Sequence, residues 1–175
     1  MSCDHNKIEG DKTMEQKKTA MNQKEELEGK TKVSIEGVPE TMLQTLYARA
    51  AETEKEKPAI RDEKAVEIVK RLDYDFSLAK KDAAMGSGVI ARTIVLDKLV
   101  GNYLNEHSNA VVVNIACGMD TRCYRNEGHY KRWYNLDLLE TMEVRQRFLK
   151  EDGVISQIAA SAMDAAWATQ IEQND

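Results

Sequence analysis

The chain has 175 residues, of which 42% are hydrophobic and 31% are charged, and its formal net charge is −5. This length is typical of one domain with a sizeable buried core. The acidic balance gives no electrostatic reason to expect a nucleic acid as partner, and no stretch approaches the roughly 20 apolar residues that cross a bilayer, so we expect no membrane partner.

The first 32 residues differ in composition from the rest of the chain. They are rich in Lys, Glu, Gln, Asn and Thr, and their apolar side chains are too sparse to build a core. This composition predicts a disordered charged tail over residues 1–32. The alternative is that the segment serves as a lid or as a partner-binding arm.

Residues 33–106 are predicted to form an N-terminal helical region. Apolar side chains at helical spacing predict one helix over residues 40–54. A second helix is predicted to follow Asp62, which suits an N-cap, and to continue to residue 71. The segment 88–105 has a broad apolar face and predicts a long helix.

Residues 107–175 change to a pattern of short strands. The β-branched apolar run at 110–116 is typical of a buried parallel strand. Further strands are predicted at 133–136 and 154–160, with a helix over 139–151 between them. This alternation indicates an α/β fold with a parallel sheet of about three strands, preceded by the helical region as a cap.

The loops after these strands carry a candidate binding site, because α/β sheets bind ligands beyond the carboxyl ends of their strands. Ala116 and Gly118 follow the first strand and let a ligand approach the backbone closely, and Gly118 can adopt a positive φ without strain. Asp137 ends the second strand, where its carboxylate can accept hydrogen bonds from both hydroxyls of a ribose. The alternative role for Asp137 is the N-cap of the next helix.

The turn after the third strand contains Ala162, Met163 and Asp164. In a nucleoside-binding sheet Met163 can cover the adenine ring and Asp164 can accept from its exocyclic amine, whereas a helix cap is the alternative role for Asp164. Nicotinamide dinucleotide is a competing ligand, but the G-x-G-x-x-G fingerprint is missing and a negative Asp120 would repel a pyrophosphate. A cationic sulfonium ligand meets no such repulsion.

Residues 116–122, with the sequence ACGMDTR, resemble the G-x-G-[LM]-D-[ST]-R motif of the leucine carboxyl methyltransferase and polyketide O-methyltransferase family. Other resemblances occur in family order between about residues 33 and 167: GVPET at 37–41, LYARA at 46–50, IART at 90–93, WYNLD at 133–137 and SAMDAAW at 161–167. The resemblance implies a partial Rossmann-like class I methyltransferase fold. It also implies S-adenosyl-L-methionine as cofactor and methyl transfer to an oxygen of a small molecule or carboxylate.

The resemblance further implies roles for single residues. Arg92 would bind the methionine carboxylate of the cofactor, a task that suits a guanidinium because it can pair bidentately; a surface salt bridge is the alternative. Ala116, which replaces the first glycine of the motif, and Gly118 would line the methionine moiety. Asp137 would hold the ribose, and the adenine would contact Ala162, Met163 and Asp164. No residue is assigned as a catalytic base.

The family's fold normally continues well beyond the adenine-side turn, so we expect a truncated member in which residues 107–175 form an incomplete half-domain. A sheet that stops at its third strand exposes an unpaired edge, which favours self-association. Two alternatives to an active methyltransferase therefore stay open: a non-catalytic cofactor-binding remnant, or a different nucleotide-binding module.

The cysteines and histidines indicate neither a metal site nor a disulfide framework. There are three of each, the histidines are scattered, and no C-x-x-C pair is present. Zinc sites need paired ligands at short spacing. We therefore expect no metal and a reducing, cytoplasmic setting.

Overall fold

The computed structural model describes residues 31–32, 40–151 and 153–171. Residues 1–30, most of the predicted tail, lie outside this part of the chain. The helices are α1 (Glu40–Thr53), α2 (Glu63–Arg71), α3 (Ser77–Lys81), α4 (Ala83–Glu106), α5 (Arg122–Arg125) and α6 (Leu139–Phe148), followed by a 3-10 helix (Ala165–Gln170). The strands are β1 (Thr31–Lys32), β2 (Leu72–Asp73), β3 (Val111–Ile115), β4 (Arg132–Asp137) and β5 (Ile155–Ala159).

The helices α1 and α2 pack against each other and form the base of the helical layer. Asp62 is the N-cap of α2, as predicted, and its Oδ1 accepts a hydrogen bond from the Ala65 amide at 3.1 Å. Such a cap satisfies one of the free N–H groups in the first turn of a helix. Leu46 and Ile68 are fully buried in a cluster that also contains Phe148 of α6, so this layer packs directly on the α/β layer.

The strands β3, β4 and β5 form one parallel sheet in that order. Val111 lies opposite Arg132, and Trp133 lies opposite Ile155, so the carboxyl ends of the three strands meet at one edge. Successive side chains of a strand point to opposite faces. Trp133 accordingly packs with Ile155 in one cluster, whereas Tyr134 belongs to another. This confirms the predicted α/β fold, with its three-stranded parallel sheet after a helical cap.

The apolar face of α4 is less buried than its pattern predicts. The buried residues of this helix are Val89, Thr93 and Leu104. The large apolar side chains on its other sides are 39–61% exposed, because α4 packs mainly against α1 and α3. They are Ile94, Val95, Leu96, Leu99 and Tyr103.

Two helix ends differ from the prediction for local reasons. The helix α4 begins earlier, at Ala83, because the Oδ1 atom of Asp82 accepts from the Met85 amide at 2.8 Å and caps it there. The helix α6 ends earlier, at Phe148, and the Glu151 carboxylate turns back to accept from Arg145.

A short parallel pair joins the start of the described chain to the helical region. Thr31 pairs with Leu72, and Lys32 pairs with Asp73. These two residues belong to the end of the segment predicted as a tail, and the pairing with β2 gives them a fixed register instead.

We expect Asp97→Asn to weaken the dependence of stability on pH in the acid range. Asp97 on α4 accepts hydrogen bonds from Arg122 Nε at 2.7 Å and from Arg125 Nε at 2.8 Å. Burial alone would raise the pKa of its carboxyl, but the two guanidiniums outweigh burial and hold the pKa below the ordinary value of 3.8. The unfolded chain therefore binds more protons near this pH. This contribution to stability is complete above about pH 5 and is lost as the pH falls below about 4.

Urea unfolding at a series of pH values between about 3 and 7 measures this effect. The free energy of unfolding should fall less steeply toward low pH in Asp97→Asn than in the wild type. Asp73→Asn is the matched control, because Asp73 makes no ion pair within residues 40–151 and 153–171. Equal slopes for Asp97→Asn and the wild type would refute the assignment.

Candidate functional site

A cavity of about 240 Å³ opens between α1, α4 and the loop after β3. Arg92 and Thr93 of α4 line it together with Arg49 of α1. Asn114 and Ala116 contribute the end of β3 and its loop. The structure thus brings two of the predicted site residues, Arg92 and Ala116, to one cavity.

Arg92 is the exposed cation of this cavity. Its guanidinium makes no hydrogen bond or ion pair within residues 40–151 and 153–171, so the alternative role in a surface salt bridge finds no support in this part of the chain. The other two arginines of the cavity already form ion pairs: Arg49 pairs with Asp62, and Arg122 pairs with Asp97. A guanidinium without a partner at a cavity wall is suited to bind a carboxylate.

The backbone of the loop after β3 adopts the left-handed conformation at two positions. Gly118 has a φ of +49°, as the sequence allowed, and Ala116 has a φ of +54°. The left-handed region is costly for a residue with a Cβ atom. A Cβ atom on Gly118 would also lie 3.1 Å from Cγ of Met42, so the packing of α1 against the loop adds a second constraint there. Ala116 therefore occupies a position that favours glycine.

Asp137 at the end of β4 holds this loop in place. Its Oδ2 accepts a hydrogen bond from the Gly118 amide at 2.8 Å, and its Oδ1 accepts from the Leu138 amide at 2.8 Å. The N-cap of α6 is Leu138, so Asp137 is not the cap that was its alternative role. Each carboxylate oxygen has a further lone pair that can accept from a ligand hydroxyl.

The turn after β5 lies at the same edge of the sheet, because Ala159 is opposite Asp137. Met163 is 94% exposed, and the Asp164 carboxylate accepts from the Ala166 amide at 3.0 Å as the cap of the 3-10 helix. The Ala162 carbonyl accepts from Trp167 Nε1 at 3.3 Å. The Ala160 amide, at the start of this turn, donates to the Asp137 backbone carbonyl at 2.9 Å, so a hydrogen bond as well as the common edge relates the turn to Asp137.

The structure overturns one argument about Asp120. Its carboxylate accepts from Arg122 and from the Asn114 side-chain amide, which lies 3.1 Å away. Because this negative charge is paired, the predicted repulsion of a pyrophosphate was wrong. The missing glycines of the dinucleotide fingerprint remain as the argument against that ligand.

Sequence reasoning missed two arginines that contact the loop. Arg49 is 6% exposed and Arg145 is fully buried. Each lies three residues from an apolar position of its helix, Leu46 in α1 and Met142 in α6, and residues at this spacing share a helix face. A charged residue on an apolar face was the available signal, since buried charges are paired.

Neither a metal cluster nor a membrane-crossing helix occurs in the part of the chain that the structure describes. No group of three or more His, Cys, Asp and Glu side chains there could hold an ion. Its helices are too short or too polar to cross a bilayer.

We expect Ala116→Gly to stabilise the fold by about 0.5–1 kcal/mol. Removal of the steric strain of a left-handed alanine should raise the free energy of unfolding by roughly 1–2 kcal/mol. The extra conformational entropy that glycine loses on folding should offset roughly 0.5–1 kcal/mol of this gain. Urea unfolding gives the difference. Ala159→Gly in β5 is the control and should destabilise by about the entropic amount. An Ala116→Gly variant as destabilised as the control would contradict the prediction.

Comparisons with known proteins show the family of the chain. The model of the family described as "Leucine carboxyl methyltransferase" matches residues 42–174. The chain is 34% identical to the tetracenomycin polyketide synthesis O-methyltransferase TcmP of Streptomyces glaucescens, over 81% of this chain and 53% of the relative. It is 31% identical to the S-adenosyl-L-methionine-dependent methyltransferase dpfgK of Gibberella zeae, over 70% of this chain and 44% of the relative. The chain thus spans about half the length of these relatives. Because the family match covers most of the chain, the protein belongs to the leucine carboxyl methyltransferase family.

Proposed function

We propose that the chain binds S-adenosyl-L-methionine at the carboxyl edge of its sheet, as part of an O-methyltransferase that acts on a small molecule or carboxylate. Methyltransferases of this family use that methyl donor. The observation that carries the proposal is the placement of Arg92 and Asp137 about the loop of residues 116–118. Arg92 shares a cavity with Ala116, and Asp137 binds the amide of Gly118.

The two side chains suit opposite ends of the cofactor. The Arg92 guanidinium complements the carboxylate of the methionine moiety, and the Asp137 carboxylate complements the ribose hydroxyls. The positive φ of Ala116 and Gly118 shapes the backbone between them. We place the adenine beside Ala162, Met163 and Asp164, since this turn follows the neighbouring strand at the same edge.

The proposed chemistry breaks the bond between the sulfonium sulfur and its methyl carbon while a bond from the acceptor oxygen to that carbon forms. Alignment of the acceptor oxygen, methyl group and sulfur can contribute roughly 7–11 kcal/mol. A carboxylate acceptor is already a nucleophile, whereas a phenol or alcohol must lose a proton to a base. The relative TcmP is an O-methyltransferase by name, which supports an oxygen acceptor. We assign no catalytic residue.

A non-catalytic cofactor-binding role is the second candidate. The observation in its favour is the exposure of α4 at the cavity, where the apolar side chain of Leu96 is 39% exposed. A complete acceptor pocket would be expected to bury apolar surface close to the cofactor. Cofactor binding without methyl transfer would favour this candidate.

Calorimetric titration with S-adenosylhomocysteine tests the proposal. The wild type should bind it saturably, and Asp137→Asn should bind it at least about tenfold more weakly, because the loss of one charged hydrogen bond costs roughly 1.5–3 kcal/mol. The matched control is Asp75→Asn, since Asp75 also accepts from a backbone amide, at 2.9 Å from Ser77, but lies in the helical region.

A second ligand distinguishes the contributions of the two ends of the site to binding. The compound 5′-methylthioadenosine has the adenosine but lacks the amino-acid carboxylate. Arg92→Met should weaken S-adenosylhomocysteine and leave 5′-methylthioadenosine unchanged, whereas Asp137→Asn should weaken both. A folded wild type that binds neither ligand would refute the proposed cofactor site.

We also propose that the chain self-associates through the free edge of β3. Within the described residues β3 pairs with β4 alone, so its other edge leaves backbone groups without strand partners. Unprotected edges favour pairing with another chain. Ile115, at the end of this strand, is 49% exposed.

Sedimentation over a range of protein concentrations tests this association. The wild type should show a concentration-dependent mass, and Ile115→Lys should shift it toward the monomer because a lysine on an edge strand disfavours pairing. Leu78→Lys is the control, since it places the same charge on an exposed apolar position of α3. The edge would be excluded as the contact if both variants behaved like the wild type.

A cytoplasmic setting is a further part of the proposal. Cys117 and Cys123 are both free and buried, and burial raises the pKa of their thiols to about 12. Thiols that persist without a disulfide suit a reducing compartment.

A further inference from the structure

Three successive carbonyls of the loop after β3 point to buried guanidiniums. The Met119 carbonyl accepts from Arg49 Nη2 at 2.7 Å. The carbonyls of Gly118 and Asp120 accept from Arg145 Nη1 at 2.9 Å and 2.8 Å. One arginine comes from α1 and the other from α6, so two separate elements hold the loop.

A buried carboxylate fixes each of these arginines. Arg49 Nε donates to Asp62 Oδ2 at 2.9 Å, and the side chain of Asp62 is 1% exposed. Arg145 Nε donates to Glu151 Oε2 at 3.1 Å, and both side chains are fully buried. Burial raises the strength of such charge-assisted bonds, and it makes the loss of one partner costly. The guanidiniums therefore cannot turn away from the loop without leaving a buried charge unpaired.

The Asp62 carboxylate also binds the loop directly. Thr121 Oγ1 donates to Asp62 Oδ2 at 2.6 Å, and Arg125 Nη1 donates to the same oxygen at 2.8 Å. Asp62 is in turn fixed as the N-cap of α2. The loop thus takes its shape from the helical cap as well as from the sheet.

We propose that Arg49 is a positioning residue for the cofactor: opposite Arg145, it holds residues 118–120 in the shape that the cofactor binds. This inference rests on the proposed function. With the carbonyls drawn toward the guanidiniums, the Gly118 amide is left to bind Asp137, which is the carboxylate proposed to hold the ribose. The residue acts through the loop and not by contact with the reacting atoms.

Arg49→Lys tests the inference, because lysine keeps the positive charge but cannot bridge Asp62 and the Met119 carbonyl as the planar guanidinium does. Arg71→Lys is the matched control. Arg71 likewise donates to backbone carbonyls of another element, those of Arg147 and Phe148 at 3.3 Å and 3.4 Å, but it does not contact the loop. Circular dichroism establishes that both variants are folded.

Two measurements are made on each variant. Hydrogen exchange of the amides of residues 117–122 reports loop order in the absence of any ligand, and titration with S-adenosylhomocysteine reports affinity. Arg49→Lys should accelerate exchange in this segment at least about tenfold and weaken binding at least about tenfold, which corresponds to roughly 1.4 kcal/mol in each case. Arg71→Lys should change neither. If Arg49→Lys does not fold, Thr121→Val replaces it, since that change removes the hydroxyl that donates to Asp62 and accepts from Arg125 Nη1 at 2.9 Å but leaves Arg49 in place.

The outcomes separate this inference from the proposed function. Faster exchange together with weaker binding supports the positioning role, and unchanged exchange overturns it. Faster exchange with unchanged affinity also overturns it, because the order of the loop would then be irrelevant to the cofactor. A wild type that binds no S-adenosylhomocysteine overturns the proposed function and with it the cofactor role of Arg49, whatever the exchange shows.

Discussion

The structure depends on a single buried carboxylate, that of Asp62. Its two oxygens accept hydrogen bonds from the Ala65 amide, Arg49, Thr121 and Arg125. A carboxylate removed from water in this way is stable only when its lone pairs are satisfied. These donors come from α1, α2, the loop after β3 and α5, so four parts of the chain must be in place together before the charge is balanced.

Through this carboxylate the helical cap and the sheet are joined around the loop after β3. The sheet supplies the direction of the loop through β3 and the bond from the Gly118 amide to Asp137. The helical cap fixes the curvature of this loop through Arg49 and through the contact of Met42 with Gly118. The left-handed backbone of Ala116 persists because these contacts outweigh its local cost.

Much of this fold could be predicted from the sequence because it follows from local patterns. The Asp62 cap, the spacing of apolar residues and the β-branched run at 110–116 each act over a few residues. The Arg49 contact with Met119 spans 70 positions, and no local pattern specifies the partner of a buried arginine. The exposure of the α4 face was not predictable for a related reason: periodicity shows which side of a helix is apolar, not whether another element covers it.

The sheet order has a consequence for how the protein folds. Each strand pairs with the next one in the sequence: Val111 with Arg132, 132 − 111 = 21 positions apart, and Trp133 with Ile155, 155 − 133 = 22 apart. Contacts of short sequence separation form early, because little loop entropy is lost. The sheet can therefore assemble strand by strand, without waiting for a contact of long sequence separation. The α1 contact with the loop after β3 closes a much longer segment, so we expect this loop to take its final shape after the sheet has begun to form.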